Sequence, residues 1–472
     1  MRFALVLKKA CDTCQLVGPL VKGLQARNEL VVYSQDDPFF PADAEVIDDS
    51  DLERSWRWRI ETVPTLILFD DAGSESRRLV GWDKAEWEDV TGSSFSENMP
   101  TFRPGCGSRT QDPGMPEKLT AKFDAYAVSA REISLGEGED EMEACFDRGW
   151  SDGLPLIPPT RERVLRMLSG SSRQADEVVG LIPPDLVSCT IEKIAINAVM
   201  AGCKPEYMPV VIATVEAALQ EEFCMHGLLA TTYFSGPLVI VNGPVSRRIG
   251  MNSKGNTFGQ GNRANATIGR ALQLVVRNVG GGKPGGVDRS VFGNPGKYTF
   301  CFAEDELGSC WESLAVERGF TDGASTVTLF AADGVQGVVD QKSRDPESLC
   351  RSFAASLRTV GHAKMIMAAD AILVISPEHE RVFRLAGWSK QQVRQKIMEI
   401  LQISGGELVA GAGGISEGIP ETLKDATLSK FRDGGLHIVR AGGSAGMFSA
   451  IIAGWAASGS IGSTMVTREI EE

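Results

Sequence analysis

The chain has 472 residues, a formal charge of −14 at pH 7 and an apolar fraction of 43%, close to that of ordinary globular proteins. Its acidity, without a basic block anywhere, argues against nucleic acid as the main partner. Ten cysteines scattered over this length fall far below the density of a disulfide scaffold and fit a reducing, cytoplasmic setting.

In chain order, residues 1–92 read as strand 3–7, helix 14–26, strand 30–34, helix 51–58, strands 65–69 and 78–82, and helix 84–91. Asp71-Ala72-Gly73 between the last two strands is a hairpin signal. Residues 93–140 shift to Pro100, Pro104, Pro113 and Pro116 mixed with Gly and Ser, which reads as a linker carrying one short helix. From 141 to 472, strands and helices alternate. Helices are expected at 191–200, opened by Thr190 and closed by Gly202, and at 206–219. A third follows Asp345-Pro346 over 347–360, and a fourth occupies 393–401 behind a Ser389/Gln392 capping box. Strands are expected at 238–241, 299–302, 326–330, 372–376 and 437–440. This alternation predicts an α/β fold with a substantially parallel sheet, as one domain or as two lobes near 141–320 and 321–472. The charge-free stretch 441–467 is of membrane length. Its six glycines and five serines favour a buried helix plus turn, and the apolar stretch after Arg2 is too short for a signal peptide, so no membrane association is expected.

Chemistry concentrates at Cys11-Asp12-Thr13-Cys14, just past the first strand and at the start of a helix. Free N–H groups and the dipole at a helix start favour a thiolate, and the two-residue spacing lets Cys14 reach back to resolve a mixed disulfide at Cys11. Asp12 is expected to raise the Cys11 pKa, and Lys8, Lys9 and the helix start to lower it. With Pro19 inside the helix, Val63-Pro64 opening a strand and Gly81-Trp82 after another, residues 1–92 resemble the thioredoxin family. That resemblance implies a redox-active Cys11–Cys14 disulfide and a cis Val63–Pro64 bond, with Pro64 facing the reactive cysteine. The family's Trp before the first cysteine is Ala10 here, and its Gly-Pro between the cysteines is Asp12-Thr13. Cys106, beside Arg109 in the Pro/Gly segment, is a candidate relay thiol, with an incidental cysteine as the alternative.

In 141–472 the densest cluster is the Gly/Asn-rich run from Gly255 to Arg270, where Asn262, Arg263 and Asn265 meet a helix start. That arrangement suits a phosphate or carboxylate, or else the asparagines simply cap the helix. It matches neither the dinucleotide-binding nor the Walker glycine pattern. Asn242, Glu378 and the Gly442-Gly443-Ser444 turn follow expected strands, where ligands gather in open α/β sheets. His379, one of four histidines, is a candidate acid–base group, and none of the four has zinc-ligand spacing. If these strand ends share one edge, Asn242, Arg263, Glu378, His379 and Ser444 converge on a cleft for a small anionic molecule. The leading reading is an enzyme in which the dithiol serves a larger α/β region, with a reductase or thiol protein as redox partner. The alternatives are a redox-sensing or binding module whose large region is a platform without chemistry, and a docking domain whose CxxC is structural. Oligomerisation stays open.

Overall fold

A computed structural model describes residues 2–70, 72–124 and 128–471 and divides the chain into two compact units, Met1–Ala127 and Val128–Glu472. In the first, the elements run β1 (Arg2–Leu7), α1 (Asp12–Arg27), β2 (Glu29–Ser34), β3 (Val46–Asp48), α2 (Glu53–Arg57), β4 (Thr62–Val63), β5 (Thr65–Phe69), β6 (Glu75–Val80), β7 (Trp82–Asp83), α3 (Lys84–Thr91), β8 (Phe102–Arg103), β9 (Cys106–Gly107) and α4 (Met115–Phe123). Five of these strands form a mixed sheet in the order β3-β2-β1-β5-β6, with β1 parallel to β2 and antiparallel to β5. The central position of β1 explains why Phe3 to Leu7 is continuously apolar and buried, since both faces are covered. Helix α1 supplies one cover through Val17, Val21 and Leu24, spaced along a single helical face. The topology resembles a thioredoxin-like fold, and the Val63–Pro64 bond is cis as expected. Within the β5–β6 hairpin signal, Asp71 lies outside the described residues.

The segment expected to be a linker is partly built into this unit. Phe102 and Arg103 pair with Asp83 and Trp82, and Cys106 and Gly107 pair with Val63 and Thr62. The indole of the buried Trp82 donates to the Pro100 carbonyl at 2.7 Å. Buried Gln35 donates to Ser108 and accepts from the Arg109 N–H. Residues 100–111 therefore form a strap fixed at both ends.

The second unit contains α5 (Glu141–Asp147), α6 (Arg161–Leu168), β10 (Val178–Ile182), β11 (Val187–Thr190), α7 (Ile191–Ala201), α8 (Met208–Ala218), α9 (Met225–Ala230), β12 (Gly236–Asn242), α10 (Pro244–Arg248), α11 (Arg263–Asn278), β13 (Cys301–Ala303), α12 (Leu314–Glu317) and β14 (Thr326–Val339). It continues with α13 (Pro346–Leu357), β15 (Ala371–Ile375), α14 (Pro377–Leu385), α15 (Lys390–Ile400), β16 (Gln402–Ser404), α16 (Gly405–Leu408), β17 (Thr427–Ser429), β18 (Leu436–Arg440), β19 (Phe448–Gly454) and β20 (Val466–Glu469). The predicted helix signals hold: Thr190 and Asp345 cap α7 and α13, Gly202 ends α7 in the left-handed region, and the Ser389/Gln392 box opens α15.

The seven-stranded sheet runs β13-β12-β14-β19-β15-β18, with β20 also paired to β14. It is only partly parallel, which corrects the expectation of a substantially parallel sheet. Among the described residues, parallel pairing occurs where helices make the crossover, at β12–β13 and β15–β18. The long strand β14 runs antiparallel to β12, β19 and β20. The 441–467 stretch is another correction. Instead of a helix it supplies β19, seated between β14 and β15, and then β20. No helix among the described residues is long and apolar enough to cross a membrane. Helices α7, α8 and α11 share one hydrophobic core with Val327, Leu329 and Ala331 of β14. A second core gathers α13, α14 and α15 against β15 and β18.

Candidate functional site

The turn that presents the cysteines is fixed before the helix begins. Asp36 accepts from the Lys9 N–H at 2.6 Å and from the Ala10 N–H at 2.9 Å, and the Cys11 N–H donates to the Lys8 carbonyl. Cys11 is then the N-cap of α1, its sulfur accepting from the Cys14 N–H at 3.3 Å. Cys14 lies one turn in and accepts from the Lys8 N–H at 3.4 Å. In its thiol form Cys11 also reaches the Val63 carbonyl, the residue before Pro64, at 3.5 Å.

The two sulfurs titrate in opposite directions. Cys11 is brought down to about 5, chiefly because the Cys14 thiol donates to it, with the Cys106 thiol and the N–H groups of Cys14 and Thr13 adding to the effect against burial. Cys14 is pushed up by burial and by its proton donation to Cys11. The charges expected to compete are occupied elsewhere. Asp12 faces Arg103 at 3.5 Å, Lys9 pairs with Asp37, and the Lys8 ammonium donates to the Gly107 carbonyl at 2.7 Å. The dithiol and the helix start, not the flanking charges, set the polarity. One cysteine held as thiolate beside one held as thiol is the arrangement that attacks a disulfide and then resolves it.

Greater exposure of Cys11 is not what distinguishes the pair: Cys11 and Cys14 are 1% and 0% exposed. The strap accounts for this. Thr13 donates to the Pro104 carbonyl at 2.7 Å, and β9 lies against β4 so that Cys106 is in register with Val63. Cys106 is half-buried, and burial and the neighbouring Cys11 push its pKa up. Gly105 makes the close approach possible. A Cβ there would sit 2.7 Å from the Val63 carbonyl oxygen and 2.4 Å from Thr62 Cγ2.

In the second unit most of the expected cleft residues are engaged by neighbouring protein groups. Asn242 is buried and donates to Glu304 and Glu306. Burial raises the Glu304 pKa, and Lys390, 3.9 Å away, opposes that. Gly442 and Gly443 do meet the Gly/Asn loop, the Gly442 N–H donating to Ser253 and Gly443 packing on Gly255. Ser444 is exposed beyond them, and Glu378 faces Arg381 at 3.9 Å. Within the loop the capping arrangement prevails. Asn262 caps α11 through the Asn265 N–H, Asn265 bonds Asn252 and Thr257, and Arg263 donates to the carbonyls of Gly202 and Cys203. His379 is wholly buried, with Nδ1 against Ser449 Oγ at 2.7 Å and Nε2 against the Asp340 carbonyl at 3.0 Å, and burial lowers its pKa. Both nitrogens are engaged by the protein, so the placement suits a core histidine rather than an acid–base group.

Two features had no sequence signal. Asp333 is buried with no cation beside it among the described residues, accepting from Tyr233 at 2.8 Å and from Ser235, and burial raises its pKa to about 6. A cavity of about 660 Å³ has apolar walls including Trp150, Ile196 and Met200, with Arg131, Arg148, Arg161 and Lys193 and also Glu132, Glu141 and Glu192 around it. Among the described residues no group of three or more His, Cys, Asp or Glu side chains is placed to hold a metal. No protein-family model matches this chain, and no curated protein matches it.

Proposed function

We propose that the first unit is a thiol–disulfide exchange module of thioredoxin type, working in a reducing, cytoplasmic compartment with a disulfide-bearing partner. The observation that carries it is the placement of the pair: Cys11 is the N-cap of α1 with its sulfur accepting from the Cys14 N–H at 3.3 Å, and Cys14 lies one turn in. The Cys11 thiolate attacks one sulfur of the partner disulfide, and the partner's other sulfur leaves as a thiolate. Cys14 then loses its proton and attacks Cys11 Sγ, releasing the second partner thiol and leaving a Cys11–Cys14 disulfide. The carbonyl of Val63, the residue before Pro64, lies 3.5 Å from the reacting sulfur. Equilibration of the full chain with oxidised and reduced glutathione tests the reading. A reversible two-electron oxidation linking Cys11 to Cys14 is expected, and no intramolecular disulfide should form in Cys11→Ser. Absence of that disulfide across the whole redox range contradicts it.

A second reading, favoured by the 660 Å³ cavity, makes the larger unit a platform for a small anionic molecule with an apolar body. Thermal shifts with small carboxylates and phosphates test it. A shift that Arg148→Ala removes supports the platform, and no shift with any of them counts against it.

A further inference from the structure

The strap does more than cover the dithiol: it delivers a third thiol to it. Strand β9 pairs with β4 so that Cys106 stands opposite Val63, whose carbonyl is 3.5 Å from Cys11 Sγ. Cys106 lies close enough to Cys11 for the two to shift each other's pKa, Cys11 downward and Cys106 upward. Both ends of the strap are held, by Trp82 on Pro100 at one side and by Gln35 on Ser108 and Arg109 at the other. The thiol is thus a resident of the site and not a side chain that drifts past it.

We propose that Cys106 is a second resolving thiol for Cys11, so that the unit interconverts Cys11–Cys14 and Cys11–Cys106 disulfides. This rests on the thiol–disulfide reading above. From the oxidised dithiol, Cys106 loses its proton and attacks Cys11 Sγ. The Cys11–Cys106 bond forms, the Cys11–Cys14 bond breaks, and Cys14 leaves as a thiolate that takes up a proton. The step is redox-neutral and needs no outside oxidant. From a mixed disulfide between Cys11 and a small or protein thiol, Cys106 displaces that thiol in the same way as Cys14 does. The strap thus lets Cys11 be resolved from either side, from within the helix or from β9.

The test uses the full chain, oxidised glutathione as probe, acid quench and peptide mapping by mass spectrometry. Cys14→Ser is expected to accumulate a Cys11–Cys106 link and about tenfold less glutathione on Cys11 than the Cys14→Ser/Cys106→Ser chain, because a tethered thiol outcompetes a free one. Cys14→Ala serves as a second variant, and circular dichroism reports folding of each. Equal glutathione on Cys11 with and without Cys106, in chains whose wild type still forms Cys11–Cys14, overturns this proposal alone. A wild type that forms no Cys11–Cys14 disulfide overturns the underlying redox reading, and the proposal with it.

Discussion

Cys11 and Cys14 are three residues apart and share one helix turn, yet the proton between them has a settled owner. With the folded Cys11 pKa near 5 and its ordinary value near 9, the thiolate stabilises the reduced fold fully above pH 9, and that contribution is lost as pH falls through 5. Alkylation of Cys11 by iodoacetamide should therefore rise with a midpoint near pH 5, and Cys14 should stay unlabelled through neutral pH. Parallel labelling of both contradicts the assignment. Asp333 carries the opposite sign. Its pKa is raised to about 6, so the stability it contributes is present below about pH 4 and is lost as pH rises through 6. Asp333→Asn should flatten the fall in unfolding free energy between pH 4 and 7 by about 2–3 kcal/mol, measured against wild type by denaturant titration. An unchanged slope counts against the burial argument. The dithiol was legible in the sequence because its chemistry is local. Asp333 was not, since its donors Tyr233 and Ser235 come from about a hundred residues away and only the sheet brings them together. Asp36, which fixes the turn before Cys11, was hidden for the same reason.

Helices with caps were readable from their first and last residues, and the expected strands were found within a few positions, except that 326–330 is only the first part of β14 (Thr326–Val339). What misled was 441–467, whose glycines and serines suggested a helix and turn. Its Ile451 and Ile452 instead lie between two neighbouring strands, and pairing on both edges overrides local preference. The Gly/Asn loop was ambiguous until the partners of Asn262 and Asn265 were visible, because capping and anion binding use the same residue types. The strap was hidden as well, since its prolines and glycines read as a linker while its two short pairings depend on distant strands. Gly105→Ala should push it off, because a new Cβ meets the Val63 carbonyl oxygen as well as the Thr62 methyl, and backbone of β4 cannot swing aside. Labelling of Cys11 by N-ethylmaleimide should then rise by about an order of magnitude through local opening. Gly107→Ala, where nothing lies within 4 Å of the added carbon, should leave the rate unchanged. Equal rates in the two variants contradict the strap's role.

The two units have separate cores. That of the first is gathered around β1, α1, Trp82 and Trp87 and, among the described residues, draws on none beyond Cys106. Met1–Ala127 made alone should therefore unfold in one cooperative transition, keep a near-ultraviolet signal from the packed Trp82 and Trp87, and show the same midpoint for Cys11 labelling. A fragment without that signal contradicts the independence of this core. The second unit is not divisible at residue 320 in the same way, because β14 pairs with β12 along one half and with β19 along the other.

Strand β20 carries a consequence for how the protein is made. Val466 and Ile470 complete a core whose other members begin at Cys145, so that core stays open at one edge until residues far along the chain have been synthesised. At 5–20 residues per second the first unit can close its sheet and shield its thiols roughly 20–70 s before β20 emerges. Once β14 has been made, and until β19 and β20 follow, Ala331 and its neighbours have an unpaired edge and exposed apolar side chains, which is when a chaperone has most to protect. A nascent chain stalled between residues 340 and 460 should hold a finished dithiol unit beside a sticky, half-built neighbour.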